Sequence, residues 1–170
     1  MNRNSLFVGR VQFCYASSMS KTKIQMKLES IGIVRSDFKE RFVTTRQGHL
    51  CPESRGEIVF HKHLQPQFLL EGLDSFSHVW LLWWCHLNPR FKLKPKIRPP
   101  RMNGKRMGLI STRSPLRPNP IGLSLVKIES TVKGRLLVSG LALVDQTPII
   151  DIKPYTSADR ADHFHWGWDN

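Results

Sequence analysis

Arg113, Arg117 and Asn119 stand on a stiffened piece of backbone, Arg113-Ser114-Pro115-Leu116-Arg117-Pro118-Asn119-Pro120. Three prolines within six residues hold φ at about −65° and remove three backbone donors, so the segment can be neither helix nor central strand. Residues 107–112 before it and 121–128 after it read as strands. A rigid loop between strands that displays two guanidinium forks suits an acceptor-rich ligand. The plain alternative is a connection whose arginines face water.

Other chemistry-bearing residues are weaker. His61/His63 and His163/His165 form two HxH pairs, and alternation on a strand would turn both members of a pair to one face. No third ligand stands at a suitable spacing, so no metal is expected. Ser111, Ser114 and Ser124 lack a G-x-S-x-G elbow. Neither GxGxxG nor GxxxxGK[ST] occurs, which excludes a Rossmann dinucleotide site and a P-loop. Asp145 opens a turn before Thr147-Pro148, either as an Asx turn or as a carboxylate that holds a polar ligand. Asp151 is a candidate partner for an arginine of the Pro loop. His86 leaves an aromatic stretch towards a basic segment, where a pocket role fits it.

The charge is lopsided. Lys+Arg number 26 against 13 Asp+Glu, a net +13, and residues 75–127 contain no acid at all. That span carries Arg90, Lys92, Lys94, Lys96, Arg98, Arg101, Lys105, Arg106, Arg113, Arg117 and Lys127. Clustering of this kind points to a phosphate-bearing partner such as RNA. Cys14, Cys51 and Cys85 form no CxxC, so a reducing cytoplasm is expected and a disulfide framework is not. The longest apolar run, residues 79–85, is seven long, so no membrane span is expected.

The elements that must position these groups are mostly strands. Strand patterns cover residues 28–35, 56–61, 76–87, 107–112, 121–128, 135–144 and the end of 145–155. Residues 76–87, FSHVWLLWWCHL, read as a fully buried strand. Alternation there puts Trp80 and Trp84 on one face and Trp83 on the other. Pro66 at a first helical position and Gly72 near the end predict a short helix over 66–73. Residues 88–105 read as a long loop. The fold class is therefore mainly β, a barrel with one short helix and long Pro/Arg-rich loops. Residues 1–27 form an N-terminal extension, 28–155 the domain and 156–170 a polar tail.

Taken in order, GIVRS, TTRQGHL, LEGLDSFSHVWLLWWCH, RPPRMNGKRMGLISTRSPLRPNPIGLS and LVDQTPIIDIKPY resemble the TsaA-like, or tRNA methyltransferase O, family over residues 28–155. The resemblance implies a single-sheeted β-barrel that binds S-adenosylmethionine, works as a homodimer and N6-methylates N6-threonylcarbamoyladenosine beside the anticodon of tRNA. It places the methyl donor among Gly48, His49, Leu50, His86, Leu87, Arg113, Leu123 and the turn Gly140, Leu141, Ala142 to Asp145. Two positions depart from the family's pattern: Ala142 stands where an acid is usual and Gln146 where a glycine is usual.

Three functions are therefore expected alternatives. The first is the tRNA methyltransferase, with His86 the candidate base and Arg90, Lys92, Lys94, Lys96, Arg98, Arg101 and Arg117 meeting RNA. The second is a non-catalytic RNA-binding barrel. The third is a small-molecule methyltransferase of the same fold.

Overall fold

Alternating apolar residues close six antiparallel strands on one another. The computed structural model describes residues 10–12, 25–40, 52–99, 104–165 and 167. The strands are β1 Arg10–Gln12, β2 Gln25–Lys27, β3 Gly32–Ser36, β4 Arg55–Phe60, β5 His78–Trp84, β6 Lys96–Ile97, β7 Met107–Gly108, β8 Ile121–Val132, β9 Arg135–Ser139 and β10 Pro148–Pro154. The barrel has the order β10-β3-β4-β9-β8-β5, and every neighbouring pair is antiparallel. Closure leaves no unpaired edge. The pairs β1–β2 and β6–β7 form two separate two-stranded sheets. Among the described residues no helix is long and apolar enough to cross a membrane.

The core is the barrel interior. Val34, Ile58, Val79, Leu81, Val126, Leu136, Val138 and Ile149 point inward and are buried. Leu141 and Leu143, from the β9–β10 connection, fill in beside them, as does Leu70 from the other end of the barrel. The tight β8–β9 turn is Lys133-Gly134, both at positive φ, which matches the twist of a two-residue hairpin. Among the described residues four buried polar side chains are all satisfied: Ser36, Thr112 and Thr147 donate to the carbonyls of Leu143, Leu109 and Val144, each at 2.7 Å, and Ser139 donates to Glu129 at 2.6 Å.

Several expected elements are shorter than their patterns. β3 begins at Gly32, not at residue 28. β9 stops at Ser139 because Gly140 turns to φ 72°. Helix α1 is Pro66–Leu69, and Gly72 at φ 78° precedes a separate 3-10 turn. The expected strand over 107–112 is two residues long and lies outside the barrel. It continues as a 3-10 turn, Leu109–Ser111, because the Thr112 amide and hydroxyl both bond the Leu109 carbonyl. Its partner β6 lies inside the stretch expected to be loop. β5 is buried on one face only: Val79 and Leu81 lie within the barrel, while Trp80, Leu82 and Trp84 face outward and are half-buried. A single-layer wall has one dry side, and length of apolar run cannot report that.

Trp83 is on the inner face, opposite Gly122, and its indole N–H donates to the Ser124 hydroxyl at 3.0 Å. A Cβ on Gly122 would lie 2.1 Å from Cε2 of the Trp83 indole, an overlap that ring cannot accept in place. Gly122→Ala is therefore expected to cost about 1–3 kcal/mol as the ring is displaced from its place. Urea unfolding would show it as a lower midpoint with an unchanged slope. An unaltered midpoint would mean that Trp83 moves aside freely.

Candidate functional site

Antiparallel alternation sends the β3–β4, β5–β8 and β9–β10 connections to the same end of the barrel. These connections hold nearly all the residues singled out in the sequence. Gly48, His49 and Leu50 belong to the first and Arg101 to the second, but all four lie outside the described residues.

The β5–β8 connection is clasped shut at its base. The Cys85 amide donates to the Pro120 carbonyl at 2.8 Å, and the Asn88 side-chain amide donates to the Pro115 carbonyl at 2.7 Å. His86 and Leu87 sit between these two bonds, beside the Arg-Pro loop. His86 is half-buried. Burial holds its pKa below the usual imidazole value, against an opposing bond to the Trp84 backbone. It is therefore a neutral imidazole at pH 7, able to accept a proton.

The two loop arginines differ. The Arg117 guanidinium turns back onto the Thr112 carbonyl at 3.4 Å and is half-buried, so it braces the loop. Arg113 is exposed and makes no ion pair with a described residue. The expected partner Asp151 is engaged elsewhere, by Lys153 at 2.8 Å and by the Ile152 amide at 2.9 Å. On a strand the next-but-one residue shares a face, so the local lysine captures this carboxylate ahead of a loop arginine.

The β9–β10 connection lies against the β3–β4 side of the same end. The Leu141 amide and carbonyl bond Ser54, at 3.4 and 2.9 Å, and its side chain is wholly buried, so Leu141 is a core residue. Ala142 is half-buried between Leu141 and Leu143. The amides of Asp145 and Gln146 donate to Phe38 and Val34, at 2.7 and 2.9 Å. Gln146 takes φ 64°, a conformation glycine adopts without strain, and its side-chain amide donates to the Asp145 carboxylate at 3.3 Å.

Asp145 is a tie rather than an Asx turn. It accepts from the Ser36 amide at 3.1 Å, and it faces Lys39 at 3.0 Å and Arg35 at 3.9 Å. Burial raises its pKa, but the bonds from Lys39, Ser36 and Gln146 outweigh this and hold it below the ordinary 3.8. Around it opens a cleft of about 380 Å³ lined by Arg35, Lys39, Arg55, Glu57, Leu137 and others. Sequence reading missed these cleft residues. The available signal was alternation in GIVRS, which turns Arg35 outward beside a buried Ser36.

Leu123 has its side chain on the outer face of β8, 51% exposed, in line with Ile121 and Leu125 and across from Leu82. It does not point into the barrel mouth. The HxH pair His61/His63 is not on one strand face. His61 follows β4 and bonds Ser30 at 2.9 Å, His63 lies in a 3-10 turn, and their rings stack at 5.8 Å. No group of three or more His, Cys, Asp or Glu suited to a metal occurs among the described residues.

Residues 33–162 match the family described as tRNA-methyltransferase O N-terminal domain. The tRNA (adenine(37)-N6)-methyltransferase of Mus musculus is 44% identical over 129 residues, which are 75% of this chain and 30% of that protein. A probable S-adenosyl-L-methionine-binding protein of Methanothermobacter thermautotrophicus is 41% identical over 135 residues, 78% of this chain and 91% of that protein. A crystal structure of TrmO from Pseudomonas aeruginosa superposes with a TM-score of 0.71 at 35% identity, covering 86% of this chain and 64% of that one. The chain thus spans less than a third of the mouse protein.

Asp145→Asn is expected to lower stability by about 1 kcal/mol at neutral pH, the scale of a weakened charge-assisted bond on a side chain still 15% exposed. Because the folded pKa is depressed, the wild-type advantage should be complete above 3.8 and fade as pH falls through the lowered value. Thermal melts of both proteins across acid pH would test this. A gap that stays constant into strong acid would assign the cost to shape rather than charge.

Proposed function

Because the chain belongs to the tRNA-methyltransferase O N-terminal domain family, we propose that it is an S-adenosylmethionine-dependent methyltransferase. In this reading it N6-methylates N6-threonylcarbamoyladenosine beside the anticodon of tRNA. The observation that carries the reading is the exposed Arg113 guanidinium, without an ion pair among the described residues, on a proline-stiffened loop bonded to Cys85 and Asn88 on either side of His86 in the chain.

The residues fit the donor's chemistry. S-adenosylmethionine supplies a methyl group on a sulfonium. Arg113 offers a planar fork for a carboxylate or ribose acceptors, pre-ordered by Pro115. Leu87 and the backbone of Gly140 to Asp145 stand at the same barrel end, with Ala142 leaving room where an acid is usual. In-line transfer needs mainly positioning. His86, kept neutral by burial, accepts the proton that leaves the methylated nitrogen. The exposed cations Arg90, Lys92, Lys94, Lys96 and Arg98 meet the tRNA backbone.

This reading includes a homodimer and a cytoplasmic setting. Cross-strand pairs Trp84–Ile121, Leu82–Leu123 and Trp80–Leu125 make an apolar strip on the outer wall, and a second copy is its proposed cover. Cys85 is a buried thiol outside any disulfide, in keeping with a reducing compartment.

Calorimetric titration with S-adenosylmethionine, followed by methyl transfer to tRNA, tests the reading. No heat with the donor alongside heat with RNA would favour the non-catalytic RNA-binding barrel. Heat with the donor but no transfer to any tRNA would favour a small-molecule acceptor. Arg113→Lys keeps the charge and loses the fork, and should weaken donor binding by about 1–3 kcal/mol with an unchanged melting temperature. Wild-type affinity in that variant would remove Arg113 from the site. Leu123→Glu should convert a sedimenting dimer to monomer, and a monomeric wild type would overturn the dimer.

A further inference from the structure

Of the two loop arginines Arg113 is the exposed one, and the chain is pinned on both sides of it. Before it, Thr112 is buried, and its amide and hydroxyl both donate to the Leu109 carbonyl, at 3.2 and 2.7 Å. The Thr112 hydroxyl oxygen also accepts the Ser114 amide at 3.3 Å. After it, the Pro115 carbonyl accepts the Asn88 side-chain amide at 2.7 Å, from a residue 27 positions earlier in the chain. Asn88 is itself tied to the end of β5, its backbone amide donating to the Cys85 carbonyl at 3.1 Å.

Only Arg113 and Ser114 stand between the two pinned positions. Pro115 fixes its own φ and biases Ser114 towards extended backbone, so two held ends and a stiff middle leave the Arg113 backbone few alternatives. The bonds made by Thr112, Ser114, Leu116 and Arg117 stay within residues 109–117 and set the loop's shape, not its place. Its place is set by bonds to other segments: Leu109 amide to Pro95 carbonyl at 2.9 Å, Cys85 amide to Pro120 carbonyl at 2.8 Å, and Asn88 to Pro115. Of these three, the Asn88 tie is the nearest to Arg113 along the chain and the one made by a side chain. The Pro115 carbonyl also accepts the Arg117 amide at 3.1 Å, so removing the Asn88 donor would not strand it, and little stability is at stake.

We propose that Asn88 is a positioning residue for methyl-donor binding, whose bond to Pro115 holds the Arg113 guanidinium where the donor's acceptor groups meet it. This rests on the methyltransferase reading above. Asn88 touches no part of the donor and acts through Arg113. A planar fork bonds well only when its N–H groups are aimed at their acceptors. Ordering that is complete before the ligand arrives is not charged against binding, so it is read as affinity.

The test titrates S-adenosylmethionine calorimetrically into four forms of the full chain: wild type, Asn88→Ala, Arg113→Ala and the double variant. Asn88→Ala should weaken donor binding about three- to tenfold, with a nearly unchanged melting temperature. In the Arg113→Ala background the same change at Asn88 should cost nothing further, because nothing remains for it to position. Asn88→Gln keeps an amide donor on a longer arm and should bind the donor more tightly than Asn88→Ala. Wild-type affinity in Asn88→Ala would overturn the positioning role and leave the methyltransferase reading standing. An equal loss in both backgrounds would overturn it as well, since that marks a general loosening of the loop. A wild type that takes up no donor would overturn the positioning role together with the methyltransferase reading.

Discussion

Antiparallel closure leaves each connection only two places to go. Strands that alternate up and down a closed wall deliver every second connection to the same end, whatever those connections contain. Here the β3–β4, β5–β8 and β9–β10 connections share one end, and the other end takes the short helix and the tight Lys133-Gly134 turn. The wall itself is rigid because its inner face is a dry, close-packed core from Val34 to Ile149. Everything the chain can do at the mouth of the barrel depends on that separation of a fixed wall from variable loops.

The two described sides of the mouth are held by different physics. On the β5–β8 side the chain is stiff before it is bonded. Prolines limit it, and a few bonds, Cys85 to Pro120, Asn88 to Pro115 and Arg117 to Thr112, then fix its path. On the β3–β4 side the connection is held from inside. Leu141 and Leu143 plug the barrel, and Ser36, Ser54 and Asp145 satisfy the polar groups that the plug would otherwise strand. One side can therefore present Arg113, which makes no ion pair with a described residue, while the other consumes its carboxylate in holding itself down. Gln146 belongs to the second arrangement: its left-handed backbone is strained, and its side-chain bond to Asp145 offsets part of that strain.

The same division sets which way neighbouring residues face. Arg117 and Arg113 are chemically alike and four residues apart, yet one braces the loop and the other is displayed. Leu123 belongs to a strand that reaches the mouth, yet the pleat turns its side chain to the outer wall. Position along the chain brings a residue to the right end of the barrel; the pleat and the local hydrogen bonds decide which way it faces.

Local chemistry was enough to read much of this protein. Alternation and turn residues specify a β domain with one short helix; proline spacing specifies a rigid Arg-bearing loop; and the absence of acids over residues 75–127 specifies a cationic surface. These depend on near neighbours, which a sequence lists. The rest depends on groups far apart in the chain. That the stretch over 107–112 pairs with Lys96–Ile97 and not with the barrel, that Asp145 is spent on Ser36 and Lys39, and that a rim cleft opens among Arg35, Arg55 and Glu57 were decided only when the wall closed. An ion pair or a hydrogen bond goes to whichever partner the fold places within about 3 Å, and that distance is a property of the closed barrel, not of the residue.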